Sequence, residues 1–279
     1  MNVIRAKTAG FCMGVSLALQ KLDSTLHEKG RICTFGPIIH NPQVLAAYEK
    51  QGVVCVRSAS ELQKGDSVII RAHGIPRQEE AQARASGAVV VDATCPRVKK
   101  AQTSIAQATR NNEILLLFGE AEHPEVRGLI SYAYGQAHVF NCRVELENFH
   151  LAENKPYVLA SQTTQDRETF LQLKRILRER FRKLKVLSTI CDATRSRQEE
   201  ARDIAATVEV MVVVGGRQSG NTRRLADIAA LSGIETMLVE SVDELDPKKF
   251  SKKSRIGLTA GASTPKSLID AAEIWLASL

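Results

Sequence analysis

The chain has 279 residues, of which 44% are hydrophobic and 25% are charged, and its formal net charge is +7. This composition is typical of a globular protein with an ordinary apolar core. No apolar run approaches the about 20 residues that a membrane helix requires, and the first residues lack the apolar segment of a secretory signal. We therefore expect a cytoplasmic protein that does not contact a membrane. Aromatic residues make up only 5% of the chain, which argues against a nucleic-acid partner.

Apolar runs of strand length alternate with helical segments along the whole chain. Because the connecting loops are short, this alternation predicts an α/β fold with mostly parallel sheets covered by helices. The predicted strands are, in chain order, 2–6, 31–36, 53–56, 67–71, 88–92, 113–119, 137–140, 157–160, 185–189, 209–214, 235–239 and 255–259.

Three of the six cysteines recur at intervals of about a third of the chain and in one context. Cys12, Cys95 and Cys191 each close an extended apolar stretch and open a helical one. Such regular self-similarity indicates a repeat architecture. A second repeat places a strand, a glycine and a polar residue before a helix, and the polar residues are His40, His123 and Ser219.

The repeat predicts three similar α/β modules of four strands each. The third module has three strands of its own, so we expect the N-terminal strand 2–6 to complete it. Ligands bind at the carboxyl ends of parallel strands. If these ends face one another, the modules form a pseudo-threefold trefoil with one central cleft. The predicted boundaries are 13–95 for module one, 96–191 for module two, and 192–279 with 1–12 for module three.

The equivalent positions of Cys12, Cys95 and Cys191 beside helix starts favour thiolates. Three thiolates suit either zinc, with water as a fourth ligand, or a 4Fe–4S cluster with one iron that lacks a protein ligand. The dispersed spacing argues against a disulfide framework. We interpret the other three cysteines, Cys33, Cys55 and Cys142, as small buried apolar residues.

A donor-rich ring of residues is predicted around the cysteines. Imidazoles, hydroxyls and amides near helix starts fit a phosphate or diphosphate. Glu125 is the one carboxylate among these sites, and it is interpreted either as a proton donor or as a helix-start cap. The predicted ring comprises His40, Asn41, His73, His123, Glu125, Thr163, Thr164, Ser219, Asn221 and Ser263.

Nine short motifs, in order from residue 10 to residue 263, resemble the 4-hydroxy-3-methylbut-2-enyl diphosphate reductase family, also called IspH or LytB. The resemblance covers nearly the whole chain. Many members of the family have Ser-Ser-Asn where this chain has Ser219-Gly220-Asn221, so Gly220 could contact a phosphate only through its backbone. The matching motifs are GFCMGV, FGPIIHNP, RAHGIP, DATCP, EHPEV, SQTT, TICDATRSRQ, the Ser-x-Asn of RQSGNTRRL, and TAGAS.

The resemblance implies a trefoil around one 4Fe–4S cluster held by Cys12, Cys95 and Cys191. It implies reductive removal of an allylic hydroxyl as the last step of the non-mevalonate isoprenoid pathway, giving isopentenyl and dimethylallyl diphosphate. The electron donor would be reduced ferredoxin or flavodoxin. Thr163 would contact the substrate hydroxyl, Glu125 would relay protons and His123 would assist. The implied diphosphate ligands are His40, His73, His123, Ser219, Gly220, Asn221 and Ser263.

Three other functions also fit the pattern of residues. A quinolinate-synthase-like dehydratase would use the same kind of cluster on a substrate that carries carboxylates. A zinc hydrolase would use the three cysteines without any iron–sulfur absorbance. A non-enzymatic redox sensor would hold a cluster and show no turnover.

Overall fold

The computed structural model describes residues 1–28, 30–251 and 253–279. Within these residues the chain forms twelve strands, which match the predicted segments closely. The strands are β1 (Asn2–Arg5), β2 (Ile32–Phe35), β3 (Val54–Val56), β4 (Ser67–Ile70), β5 (Val89–Asp92), β6 (Ile114–Phe118), β7 (Ala137–Phe140), β8 (Tyr157–Ser161), β9 (Leu184–Val186), β10 (Val210–Val214), β11 (Glu235–Val239) and β12 (Arg255–Ala260).

Helices alternate with the strands, as an α/β fold requires. None of the helices in the described part of the chain has the length and apolarity needed to cross a bilayer. The helices are α1 (Met13–Thr25), α2 (Pro42–Glu49), α3 (Arg77–Ala85), α4 (Pro96–Ala108), α5 (Pro124–Ile130), α6 (Arg143–Glu147), α7 (Arg167–Arg180), α8 (Asp192–Ala205), α9 (Gly220–Ala230) and α10 (Lys266–Ala277).

The strands form three four-stranded sheets, with orders β3-β2-β4-β5, β7-β6-β8-β9 and β11-β10-β12-β1. Every pair of neighbouring strands is parallel, which confirms the predicted α/β fold class. The three sheets share one strand order. In each, the second strand of the module lies at the edge of the sheet, and the first strand lies next to it in the interior. In the third sheet β1 takes the place of the fourth strand, since Asn2 pairs with Arg255 and Arg5 with Leu258.

The central strands are buried on both faces. In β10, Val212 packs in one apolar cluster while Met211 and Val213 pack in another, and all three are fully buried. In β6, Leu116 and Leu117 divide between two clusters in the same way. Continuous apolar runs are expected of parallel strands that helices cover on both sides. The buried strands therefore provide a rigid base for the residues that follow them.

The strand predicted at 185–189 ends early, because β9 covers only Leu184–Val186. Toward the end of the predicted segment, a threonine side chain makes the hydrogen bonds to β8. The hydroxyl of Thr189 accepts a hydrogen bond from the Ser161 backbone N–H at 2.8 Å and donates one to the Ser161 carbonyl at 2.8 Å. Leu187 still donates its backbone N–H to the Leu159 carbonyl at 2.8 Å, and after it the chain is attached to β8 through the Thr189 side chain.

The chain divides into two compact units. The first, here called the terminal unit, comprises residues 1–16, 39–50 and 192–279 and contains the sheet with β1. The second, here called the middle unit, comprises residues 17–38 and 51–191 and contains the other two sheets. The module boundaries 13–95, 96–191 and 192–279 with 1–12 remain predictions about the repeat.

The interpretation of three cysteines as buried is correct for one of them and wrong for two. Cys33 is fully buried in the apolar core beside β4, whereas Cys55 and Cys142 are exposed. Cys55 lies on β3, which is an edge strand, and Cys142 lies in the turn between the edge strand β7 and α6. Apolar residues beside a cysteine in the sequence do not show whether its strand lies at the edge of the sheet.

Candidate active site

Two of the predicted cysteine ligands lie in the middle unit, each in the segment between a parallel strand and the next helix. Cys95 immediately precedes α4, and its backbone N–H donates to the Ala72 carbonyl at 2.9 Å. The Cys191 N–H donates to the Thr163 carbonyl, also at 2.9 Å. Both side chains are half-buried. The backbone of Cys95 is therefore attached next to His73, and the backbone of Cys191 is attached at Thr163.

The Glu125 carboxylate is bound by Thr163 through two hydrogen bonds. Its Oε1 accepts from the Thr163 backbone N–H at 2.6 Å, and its Oε2 accepts from the Thr163 hydroxyl at 3.0 Å. Glu125 is 1% exposed and Thr163 is 4% exposed. Hydrogen bonds inside a protein are electrostatically stronger than in water, so this buried environment strengthens both contacts. The two side chains therefore hold each other in place, and the pair adjoins Cys191 through the Thr163 carbonyl.

The side chain of Glu125 does not cap the helix, as one of the two interpretations proposed. The cap of α5 is His123, whose Nδ1 accepts from the Glu125 backbone N–H at 3.1 Å. Because Nδ1 is an acceptor in this bond, a neutral His123 carries its proton on Nε2. The His123 ring also meets the His73 ring edge to face, with 5.2 Å between ring centroids. The middle unit thus brings together His73, Cys95, His123, Glu125, Thr163 and Cys191.

The terminal unit brings together the third cysteine and another group of predicted ligands. The Cys12 backbone N–H donates to the Ala262 carbonyl at 3.2 Å, directly before Ser263. The Ser263 hydroxyl donates to the His40 carbonyl at 3.1 Å. Gly216 is needed beside this contact, because a Cβ there would lie against the His40 carbonyl oxygen. Cys12, His40 and Ser263 are therefore neighbours in the fold although they are remote in the chain.

Ser219, Gly220 and Asn221 form the start of α9 in the same unit. Ser219 is the N-cap, and its Oγ accepts from the Thr222 N–H at 3.3 Å, which leaves the hydroxyl hydrogen to donate. Gly220 and Asn221 are buried in the first turn. Backbone N–H groups at a helix start favour an anion. The predicted contact of Gly220 through its backbone is compatible with this position.

Two buried amide groups in the terminal unit need a partner that the described residues do not supply. The Nδ2 atoms of Asn41 and Asn221 are buried and have no hydrogen-bond acceptor in the described part of the chain. Asn41 is 1% exposed and caps α2 through its oxygen, while Asn221 is 7% exposed. Leaving a buried donor unsatisfied costs about 1–3 kcal/mol. The arrangement therefore favours an oxygen-rich anion as the missing acceptor.

Two residues of α8 that the sequence analysis did not single out hold the loop before Cys12. Arg197 is 5% exposed and donates to the backbone carbonyls of Thr8 and Gly10, the second at 2.7 Å. Glu200 accepts from the backbone N–H groups of Lys7 and Thr8 at 2.7 and 2.9 Å. The buried face of α8 includes Thr194, Arg197 and Ala201. In the sequence, Arg197 falls at a position where the helical periodicity of α8 would place a buried residue, and this position could have indicated its role.

The carboxylate of Glu200 makes the Cys12 loop sensitive to acid. Burial alone would raise the pKa of Glu200, but hydrogen bonds from Thr8 and Lys7 together hold it below its ordinary value. A carboxyl group whose pKa is lower in the folded state stabilises the fold at pH values above its ordinary pKa. This stabilisation is lost as the pH falls through the lowered pKa. The Glu200→Gln variant should therefore have a free energy of unfolding that is lower than that of the wild type by at most about 1 kcal/mol at pH 7, after allowance for solvent screening. The difference should become smaller as the pH is lowered.

Urea unfolding between pH 7 and pH 3 measures this difference in the free energy of unfolding. The control is Asp203→Asn, which removes an exposed carboxylate from the same helix. A difference between wild type and Glu200→Gln that stays constant over the whole pH range would contradict the assignment.

The parallel sheets, with polar residues in the segments that follow their strands, define the chain as an α/β protein with cysteine-containing sites. A family model described as "LytB protein" matches residues 3–276, and the chain belongs to this family. The family resemblance noted from the nine motifs is thereby confirmed.

Curated relatives match over the full length of the chain. A protein of Desulfovibrio desulfuricans, named 4-hydroxy-3-methylbut-2-enyl diphosphate reductase, is 67% identical and covers 100% of both chains. A protein of the same name from Geobacter metallireducens is 41% identical and covers 97% of this chain and 95% of its own length.

Two solved structures are similar in fold. The E-1-hydroxy-2-methyl-but-2-enyl-4-diphosphate reductase from Plasmodium falciparum has a TM-score of 0.92 at 26% identity, covering 96% of this chain and 86% of that one. A second structure, described as (E)-4-hydroxy-3-methyl-but-2-enyl diphosphate reductase, the terminal enzyme of the non-mevalonate pathway, has a TM-score of 0.71 at 37% identity and covers 100% of both chains.

Proposed function

We propose that this protein removes the allylic hydroxyl of (E)-4-hydroxy-3-methylbut-2-enyl diphosphate reductively, as the last step of the non-mevalonate isoprenoid pathway. The names of its full-length relatives support this activity. The reaction consumes two electrons and two protons, releases water and yields isopentenyl or dimethylallyl diphosphate. The observation that carries the proposal is the buried Glu125–Thr163 pair beside Cys191, because it would place a proton donor at a site that also offers a cysteine sulfur.

The cofactor in this proposal is one 4Fe–4S cluster held by Cys12, Cys95 and Cys191. The donor set fits this group, since all three side chains are half-buried and each backbone is anchored to a strand-end carbonyl. Thiolates are the usual ligands of such clusters, and family membership favours a cluster over zinc. When bound, the cluster supplies the electrons and an iron without a protein ligand for the substrate hydroxyl. Convergence of the three thiols on one cluster is part of the proposal.

The diphosphate would be bound by hydroxyl, amide and imidazole donors. In the terminal unit the Asn221 amide, the Ser219 hydroxyl and the Gly220 backbone would donate at the start of α9. The unsatisfied buried amides of Asn41 and Asn221 support an anionic ligand there. The complete proposed set is His40, His73, His123, Thr163, Ser219, Gly220, Asn221 and Ser263.

Glu125 and Thr163 would deliver the proton. In this scheme Glu125 holds a proton on Oε2 and passes it to the Thr163 oxygen, while the Thr163 hydroxyl gives its own proton to the departing oxygen of the substrate. The distance of 3.0 Å between Glu125 Oε2 and Thr163 Oγ1 supports a direct transfer. In a neutral His123 the ring proton would lie on Nε2, because Nδ1 caps α5. The proton pathway therefore uses groups that the fold already connects.

The electron donor in this proposal is a reduced ferredoxin or flavodoxin, and the reaction takes place in the cytoplasm. The net charge of +7 supports attraction to an acidic redox partner and to an anionic substrate.

The direct test is anaerobic purification, iron and sulfide analysis, and a turnover assay with the allylic diphosphate and a chemical reductant. We expect a coloured protein that forms both isopentenyl and dimethylallyl diphosphate. A coloured protein without turnover would favour a redox sensor. Turnover of a substrate that carries carboxylates would favour a quinolinate-synthase-like dehydratase. A colourless zinc protein would overturn the cofactor assignment.

A further inference from the structure

The middle unit contains a cavity of about 280 Å³ that is separate from the hydrogen-bonded groups described above. Three arginines and one carboxylate line it: Arg57, Arg71, Arg127 and Glu79. Its remaining wall is formed largely by the Phe35–Pro37 turn and by two further prolines. The lining therefore carries an excess of two positive charges in a concave, otherwise apolar setting. We call this site the arginine cavity.

Arg71 lines the arginine cavity and packs closely against a glycine. Its side chain is half-buried and its Nε donates to the Gly74 carbonyl at 3.5 Å. Its guanidinium packs against Gly36, which has a positive φ of 72°, and a Cβ at Gly36 would collide with Nη1 of Arg71. Glycine at this position therefore serves two needs, the turn conformation and the close approach of the guanidinium.

Two guanidinium groups of the arginine cavity, those of Arg71 and Arg127, form no ion pair within the part of the chain that the structure describes. Burial lowers the pKa of Arg71, Arg127 lowers it further, and Glu79 offsets part of this effect. Partial burial of a cation without a paired anion is unfavourable, and an added anion would remove that cost.

We propose that the arginine cavity binds a small phosphate-like oxyanion between Arg71 and Arg127. Planar guanidinium groups recognise phosphate through paired hydrogen bonds. The volume of about 280 Å³ lies just below the roughly 300–1,000 Å³ of sites for drug-sized ligands, which favours an anion of the size of phosphate over a nucleotide. This proposal does not depend on the proposed reductase activity.

The position of the arginine cavity connects it to two segments of the candidate active site. Arg71 follows β4 and precedes His73 by two residues, and Arg127 follows Glu125 by two residues on α5. An anion bound by both arginines would cross-link the segment that carries His73 to the helix that carries Glu125. Occupancy would therefore restrict the relative movement of these two segments.

The test is calorimetric titration of the holoenzyme with inorganic phosphate, with chloride at matched ionic strength as the reference. We expect saturable binding that Arg127→Gln weakens by about tenfold or more, as loss of a charge-assisted hydrogen bond implies. Arg71→Gln should have a similar effect where it folds, but the exposed Arg127 makes the decisive variant. Arg110→Gln removes the same charge from an exposed turn of the middle unit and should leave the affinity unchanged.

A second variant separates the arginine cavity from the proposed diphosphate site. Asn221→Ala removes a donor of that site in the terminal unit, and phosphate binding at the arginine cavity should survive the change. Phosphate binding that is lost in Asn221→Ala and retained in Arg127→Gln would overturn the proposal. Absence of saturable phosphate binding in the wild type would overturn it as well.

Discussion

Glu125→Gln should reduce turnover of the allylic diphosphate by about 10²–10⁴-fold, the usual contribution of a general acid. Glutamine has the same shape, and its carbonyl oxygen can still accept from the Thr163 backbone N–H that now binds Glu125 at 2.6 Å. The amide cannot hold a transferable proton, so the fold should persist while proton delivery fails. Steady-state turnover with a chemical reductant, together with iron content and visible absorbance, measures both properties.

Glu122→Gln is the matched control for this change. Glu122 is an exposed residue in the turn before α5, and its replacement should leave turnover close to that of the wild type. Thr163→Ser keeps the hydroxyl that donates to Glu125 and should retain more activity than Thr163→Val, which removes it. Near-normal turnover in Glu125→Gln, with intact absorbance, would show that the proton follows another route.

Replacing any one of Cys12, Cys95 and Cys191 with serine should abolish stable binding of the iron–sulfur cluster. A serine oxygen is a harder ligand than a thiolate, and cluster irons prefer sulfur. The backbone anchors at Ala262, Ala72 and Thr163 do not involve the sulfurs, so circular dichroism of the unliganded variants should resemble that of the unliganded wild type. Iron and sulfide per chain after anaerobic reconstitution, with visible absorbance, provide the measurement.

The exposed cysteines make sharp controls for this experiment. Cys55→Ser and Cys142→Ser remove thiols from the edge strand β3 and from the turn before α6, so both variants should bind a full cluster. Equal loss of iron in Cys55→Ser and Cys191→Ser would contradict the proposed ligand set. Buried Cys33 is unsuitable as a control, because its replacement would also disturb the core beside β4.

Much of the secondary structure could be predicted from local sequence. Runs such as the buried β6 and β10 indicated central strands, since a parallel strand covered on both faces requires an uninterrupted apolar segment. The count of strands in each repeat also predicted that the N-terminal strand completes the C-terminal module, and in the structure β1 pairs with β12. Local sequence was insufficient for the end of β9, where the hydroxyl of Thr189 bonds the Ser161 backbone.

The sequence by itself determined the strand-and-helix repeat, the equivalent positions of Cys12, Cys95 and Cys191, and the family, because each is encoded in local patterns of residues. Only the tertiary structure decided how Thr163 binds Glu125 and how Arg197 holds the loop before Cys12. These contacts join residues far apart in the chain, and their formation depends on atomic distances that residue types do not specify. The exposure of Cys55 and the excess positive charge of the arginine cavity also had to be read from the tertiary structure. Burial and charge pairing are determined only when separate elements pack together.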